Sequence, residues 1–166
     1  MQPPSPIVSV PRPVVVPRWL PIALGELGVV EDTRPGRSER RIEQYHAATR
    51  GGAELDDVPW CASFVGWVLE SAGVPSTKRK SAASYATWGT AVGWDAFGGV
   101  VVFGKSDPDA GGTGHVGFLL GVSGSRCFVL GGNQSNAVTI AVREQRGAAV
   151  RWPHAIAIAS TPPPRV

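Results

Sequence analysis

The chain is poor in cysteine, lysine, tyrosine and methionine, and it has no long apolar run. Two cysteines, Cys61 and Cys127, occur in 166 residues. Two thiols cannot build the multi-bridge framework of a small secreted scaffold, and no paired Cys or His spacing suggests a zinc site. No stretch reaches the roughly 20 apolar residues of a membrane span. Ile7 to Val16 is apolar but is broken by Pro11 and Pro13. The N-terminus also lacks a basic segment followed by an apolar one, so no signal peptide is expected and the chain reads as one made in the cytoplasm. Charge is sparse at 17%, with a net charge of +3. No Lys/Arg block or RNA-binding signature accompanies it, so no nucleic-acid partner is expected. Lys78-Arg79-Lys80 reads as a solvated loop.

What is present is glycine and proline, 21 and 15 residues. They punctuate the chain as turns do in a sheet-containing fold. Residues 1–18 read as a Pro-rich lead or linker, 19–158 as one catalytic domain, and 159–166 as a tail. Helices are expected at Leu20–Leu27, with Pro21 in the first turn and Gly28 as the stop, and at Glu39–Thr49 behind a Ser38 cap. A third should start near Pro59, capped by Asp57 or Val58, and run to Ala72 before Gly73. Cys61, Val65, Val68 and Ala72 would line one of its faces. A short helix should cover Ala82–Trp88. Strands are expected at Val100–Phe103, Val116–Leu120, Arg126–Leu130 and Val138–Val142, with a further strand or tail from Arg151 to about Ile158. Turn signals lie at Asp107-Pro108, Gly111-Gly112, Ser123-Gly124-Ser125 and Gly131-Gly132. Helices first and an antiparallel sheet of about four to six strands after is an α+β arrangement.

Cys61 would stand in the first turn of the third helix, where the helix dipole favours a thiolate. His115 would open a strand packed beside that helix and serve as base. Asn133, at the end of the next strand, is the candidate to orient the imidazole. A Cys on a helix, a His on a strand and a polar orienter on the next strand is a papain-type arrangement. No metal or other cofactor is needed. Trp60, Trp88 and Gln134 are candidate substrate-binding residues. Cys127, His46 and His154 read as structural or exposed, and Glu26, Glu31, Asp56 and Asp57 as capping and surface carboxylates.

These motifs resemble a known family. Pro59-Trp60-Cys61-Ala62-Ser63-Phe64-Val65 is similar to the nucleophile motif of CHAP-like and NlpC-type peptidoglycan hydrolases. Gly114-His115-Val116-Gly117-Phe118 is similar to their histidine motif, and Leu130-Gly131-Gly132-Asn133-Gln134-Ser135 to the third-residue motif of a phage-associated subgroup. Ala83-Ser84-Tyr85-Ala86-Thr87-Trp88-Gly89 and Gly25-Glu26-Leu27-Gly28 with Glu31 also resemble that subgroup. The resemblance spans about residues 19–153. It implies a papain-like fold and cleavage of a peptidoglycan amide bond, either between sugar and peptide or within the peptide, with Cys61, His115 and Asn133 as the catalytic set. Two positions depart from the pattern: Gly131 stands where many CHAP domains carry Glu, and Gly98-Gly99 where an Asp is common. The resemblance implies bacterial peptidoglycan as partner, reached by holin, phage or secretion-system delivery, and a monomer without membrane insertion. Use as an injected effector would add an immunity protein. The rival readings are a cysteine protease or transferase acting on protein, and a non-catalytic wall-binding or phage-tail module.

Overall fold

The computed structural model describes residues 15–104, 114–154 and 156–157. The expected turns at Asp107-Pro108 and Gly111-Gly112, most of the Pro-rich lead and the 159–166 tail lie outside the described residues. The fold is α+β. Three helices, α1 (Leu20–Gly25), α2 (Arg40–Ala47) and α3 (Cys61–Ser71), and a 3-10 helix (Ala82–Thr87) precede the sheet. The strands are β1 (Thr90–Val92), β2 (Val100–Phe103), β3 (His115–Ser123), β4 (Arg126–Gln134), β5 (Ala137–Glu144) and β6 (Ala148–Trp152). They form one antiparallel sheet in the order β1-β6-β2-β3-β4-β5. Among the described residues, no helix is long and apolar enough to cross a membrane.

Local chemistry explains the helix ends. Pro21 occupies the first turn of α1, where its missing N–H costs nothing. Glu39, rather than Ser38, caps α2 by accepting from the Arg41 N–H at 3.0 Å. Ser38 Oγ instead accepts from the Asp56 N–H at 3.1 Å. α3 begins at Cys61 behind Trp60, with no side-chain cap of its own. It ends in a Schellman motif: the Val74 N–H reaches Leu69 O at 2.8 Å and the Gly73 N–H reaches Glu70 O at 2.9 Å. Gly73 makes that turn at φ +68°, a conformation that costs glycine little.

α3 is buried on more than one face, from Cys61 through Gly66 and again at Val68 and Leu69. It lies between α2 and the sheet. Tyr45 of α2 packs its ring 5.4 Å from that of Phe64, and Phe64 in turn meets Phe118 of β3 at 6.3 Å. The Arg41 guanidinium stacks 4.3 Å from the Trp67 ring and donates twice to Glu26, at 2.6 and 2.7 Å. Glu26 also accepts from Tyr45 Oη. Helices α1, α2 and α3 are thus joined by packing and by one ion-pair network, which fixes where the start of α3 meets the sheet.

Candidate active site

Cys61, the first residue of α3, is only 7% exposed. His115, the first residue of β3, is 4% exposed. The backbone N–H of Val116, next to His115, bears on the sulfur together with those of Ala62 and Cys61 itself, and these donors favour the thiolate. Burial opposes them and is the larger effect, so the thiol is pushed up from its ordinary value. The expected net lowering at a helix start is therefore reversed by desolvation. Among the described residues, no hydrogen bond joins the Cys61 thiol to the His115 ring.

His115 is held by Gln134. Its Nε2 lies 3.2 Å from Gln134 Oε1. The Gln134 amide nitrogen donates to Thr139 O at 2.7 Å, Val129 O at 3.2 Å and Gly131 O at 3.3 Å. That fixes which end of the amide faces the ring. The facing oxygen can only accept, so Nε2 carries the imidazole proton and Nδ1 is left with a lone pair. Burial first, and the Arg143 charge second, hold the imidazole neutral down to about 3. The resting pair is accordingly a neutral thiol and a neutral imidazole.

Asn133, the expected orienter, points elsewhere. In the amide orientation that satisfies both neighbours, it donates to Glu31 Oε1 and accepts from the Trp60 N–H, each at 3.3 Å. Glu31 also accepts from Trp60 Nε1 at 2.7 Å. Asn133 and Glu31 therefore clamp the residue that precedes Cys61, and Glu31 has a role beyond surface charge. The reason for the exchange is a bulge. Gly131 pairs with Thr139 but Gln134 pairs with Ala137. One extra β4 residue in that interval shifts the alternation, so Gly131 and Gln134 share a face. Asn133 takes φ +56° within it, which asparagine tolerates better than most residues. Gly131 leaves the room: a Cβ there would lie 3.1 Å from His115 Nε2 and 3.2 Å from Gln134 Cδ. A Glu at 131 would crowd that contact. A Cβ on Gly132 would meet the Trp60 ring at 2.4 Å.

Neither tryptophan lines the site. Trp60 is fully buried under β4 and α2, and core packing, not substrate contact, is its place. Trp88 donates from Nε1 to Pro75 O at 3.1 Å, in a groove with Gly73 and Val74 beyond the far end of α3. An eleven-residue helix is roughly 16 Å long, which separates Trp88 from Cys61. Gln134 is 4% exposed, so it serves the histidine rather than a substrate surface. Cys127 is buried, with its thiol 3.5 Å from Arg143 O. His46 is buried and pairs through Nδ1 with Ser63 Oγ at 2.9 Å. His154 pairs on the surface with Thr90 at 2.9 Å.

Arg143 is the site residue that sequence reading missed. It is 6% exposed, lies 5.3 Å over the Phe103 ring and donates from Nε to Gln134 Oε1 at 3.4 Å. Phe103 in turn packs 6.1 Å from the His115 ring. The one available signal was an arginine directly after a β-rich run. Among the described residues, no three His, Cys, Asp or Glu side chains gather as a metal would require. No known family profile matches the sequence, and no curated protein matches it.

Proposed function

We propose that the protein is a thiol hydrolase of the bacterial wall, cutting a peptidoglycan amide bond with Cys61 as nucleophile and His115 as base. The observation that carries this reading is the start of α3 set against the start of β3, where a helix-terminal thiol lies beside a strand whose histidine is held Nε2–H by Gln134. The wall as substrate rests on the resemblance of the Trp60-Cys61 and Gly114-His115 segments to CHAP-like and NlpC-type hydrolases. A papain-like relationship of the fold belongs to the same proposal, supported by helices that precede an antiparallel sheet and by a histidine on the strand beside the thiol helix.

In this mechanism His115 Nδ1 takes the thiol proton as Cys61 Sγ attacks the amide carbonyl. Contacts of this kind tighten when substrate binds. The N–H groups of the first helical turn, including those of Cys61 and Ala62 that bear on the sulfur at rest, stabilise the oxyanion. The C–N bond breaks, and His115 returns its proton to the leaving amine. Water then hydrolyses the thioester, releasing the carboxylic acid and restoring the thiol. Starting from a neutral pair, the thiol is activated by general base catalysis during attack rather than by a standing ion pair. Delivery to the wall by a holin, a phage particle or a secretion system belongs to the same proposal.

The test is digestion of purified sacculi followed by mass spectrometry of the soluble products. New lactyl ends on the sugar would identify an amidase, and new peptide amino termini an endopeptidase. No soluble product from sacculi of several wall chemistries would refute the reading.

A further inference from the structure

In the site proposed above, Gln134 Oε1 has two lone pairs and two facing donors, His115 Nε2 at 3.2 Å and Arg143 Nε at 3.4 Å. Arginine can only donate. A guanidinium at this place therefore admits only the oxygen end of the Gln134 amide on its side. That same oxygen is what selects the Nε2–H form of His115. The guanidinium is itself seated on the Phe103 ring, and Phe103 pairs in register with His115 across β2 and β3. Arg143, on β5, thus reaches the amide on β4 and rests on a ring of β2, the strand beside the histidine.

We propose that Arg143 is a positioning residue for the base: seated on Phe103, it supplies the second hydrogen bond to Gln134 Oε1, and so keeps His115 with its proton on Nε2 and its lone pair on Nδ1. Arg143 sets the tautomer through Gln134, in addition to the effect of its charge on the imidazole. The backbone carbonyls of Val129, Gly131 and Thr139 hold the other end of the amide. Loss of Arg143 therefore weakens the preference without abolishing it.

The inference rests on the hydrolase reading only for its consequence in catalysis, and the test separates the two. Full-length protein labelled with ¹⁵N-histidine is examined by long-range ¹H–¹⁵N spectroscopy near neutral pH, with the His115 signals identified by their loss in His115→Asn. The wild type shows the Nε2–H tautomer. Arg143→Met, if folded by its thermal melt, shows a measurable Nδ1–H fraction and about tenfold slower sacculus cleavage, the size expected for one lost hydrogen bond. Arg143→Lys, which remains donor-only, stays closer to the wild type in both. Arg143→Gln provides a second variant should Met not be tolerated, because its amide can also accept and so relaxes the constraint. An unchanged tautomer in a folded Met or Gln variant overturns the proposal. A tautomer that shifts while no protein, wild type included, cleaves any wall upholds the positioning role and removes the hydrolase reading instead.

Discussion

His115 offers a quantitative handle that does not depend on any substrate. Burial, with a smaller contribution from the Arg143 charge, holds its imidazole neutral down to about 3, against an ordinary value of 6.5, and the Gln134 hydrogen bond offsets only part of this. In the unfolded chain the same side chain takes up a proton as pH falls through 6.5. Between those values the unfolded state binds a proton that the folded state refuses, so stability declines as pH falls from about 6.5 toward 3, and no such cost exists well above 6.5. At pH 5 the cost is about 2 kcal/mol, taking roughly 1.4 kcal/mol for each unit below 6.5. His46, also buried and shifted down, adds to the decline in the same direction. Glu26, held below the ordinary carboxylate range chiefly by Arg41, weakens the fold only at lower pH. Urea unfolding at pH 7.5 and 5.0 for wild type and His115→Asn isolates the histidine. The drop in unfolding free energy between the two pH values should be about 2 kcal/mol larger in the wild type, whatever the absolute stability of the variant. Equal drops would mean that His115 titrates normally in the folded protein and takes up its proton there as readily as in the unfolded chain.

Other consequences are testable together. Gly132→Ala would place a methyl 2.4 Å from the Trp60 ring and 2.8 Å from Phe64 Cβ. We predict a loss of about 1–3 kcal/mol by thermal or urea unfolding, whereas Gly25→Ala, with nothing within 4 Å, should not destabilise; a neutral Gly132→Ala would mean that α3 packs less closely on β4. Gln134→Met should slow sacculus cleavage about tenfold or more, and Asn133→Gly, which keeps the left-handed turn, should slow it less; the reverse order would reinstate Asn133 as the orienter. Iodoacetamide should label Cys61 slowly near pH 6 and faster as pH rises, while fully buried Cys127 reacts only on unfolding; rapid labelling of Cys61 at pH 6 would reveal a standing thiolate instead.

Much of the scaffold was legible because local signals and the tertiary structure agreed. Pro21, Gly73 and the Val100–Phe103 run mark element ends that the fold keeps. The Ala82 segment was read as a helix and forms a 3-10 turn through Thr87. β1 escaped notice because it has three residues and mostly exposed side chains, leaving no alternation to read. The last strand, expected from Arg151, begins at Ala148. The candidate site was legible in Cys61 and His115 as residues at element starts, but not in its third member. Counting along β4 with a plain period of two pairs Asn133 with Gly131, and one bulge residue hands that face to Gln134. β5 hides Arg143 for a related reason. The strand expected at Val138–Val142 stops short of it, and within that run Ile140 is 48% and Val142 50% exposed while Arg143 is buried. At this edge of the sheet a buried polar contact, not hydrophobicity, decides which side chain turns in.

The central claim is that Cys61 performs wall cleavage. Identical sacculi are incubated with wild type, Cys61→Ala and Cys127→Ala, each confirmed folded by its thermal melt, and soluble fragments are quantified by mass spectrometry. Wild type and Cys127→Ala should release the same fragments, and Cys61→Ala none above the no-enzyme control. Equal release by Cys61→Ala and wild type would contradict that claim.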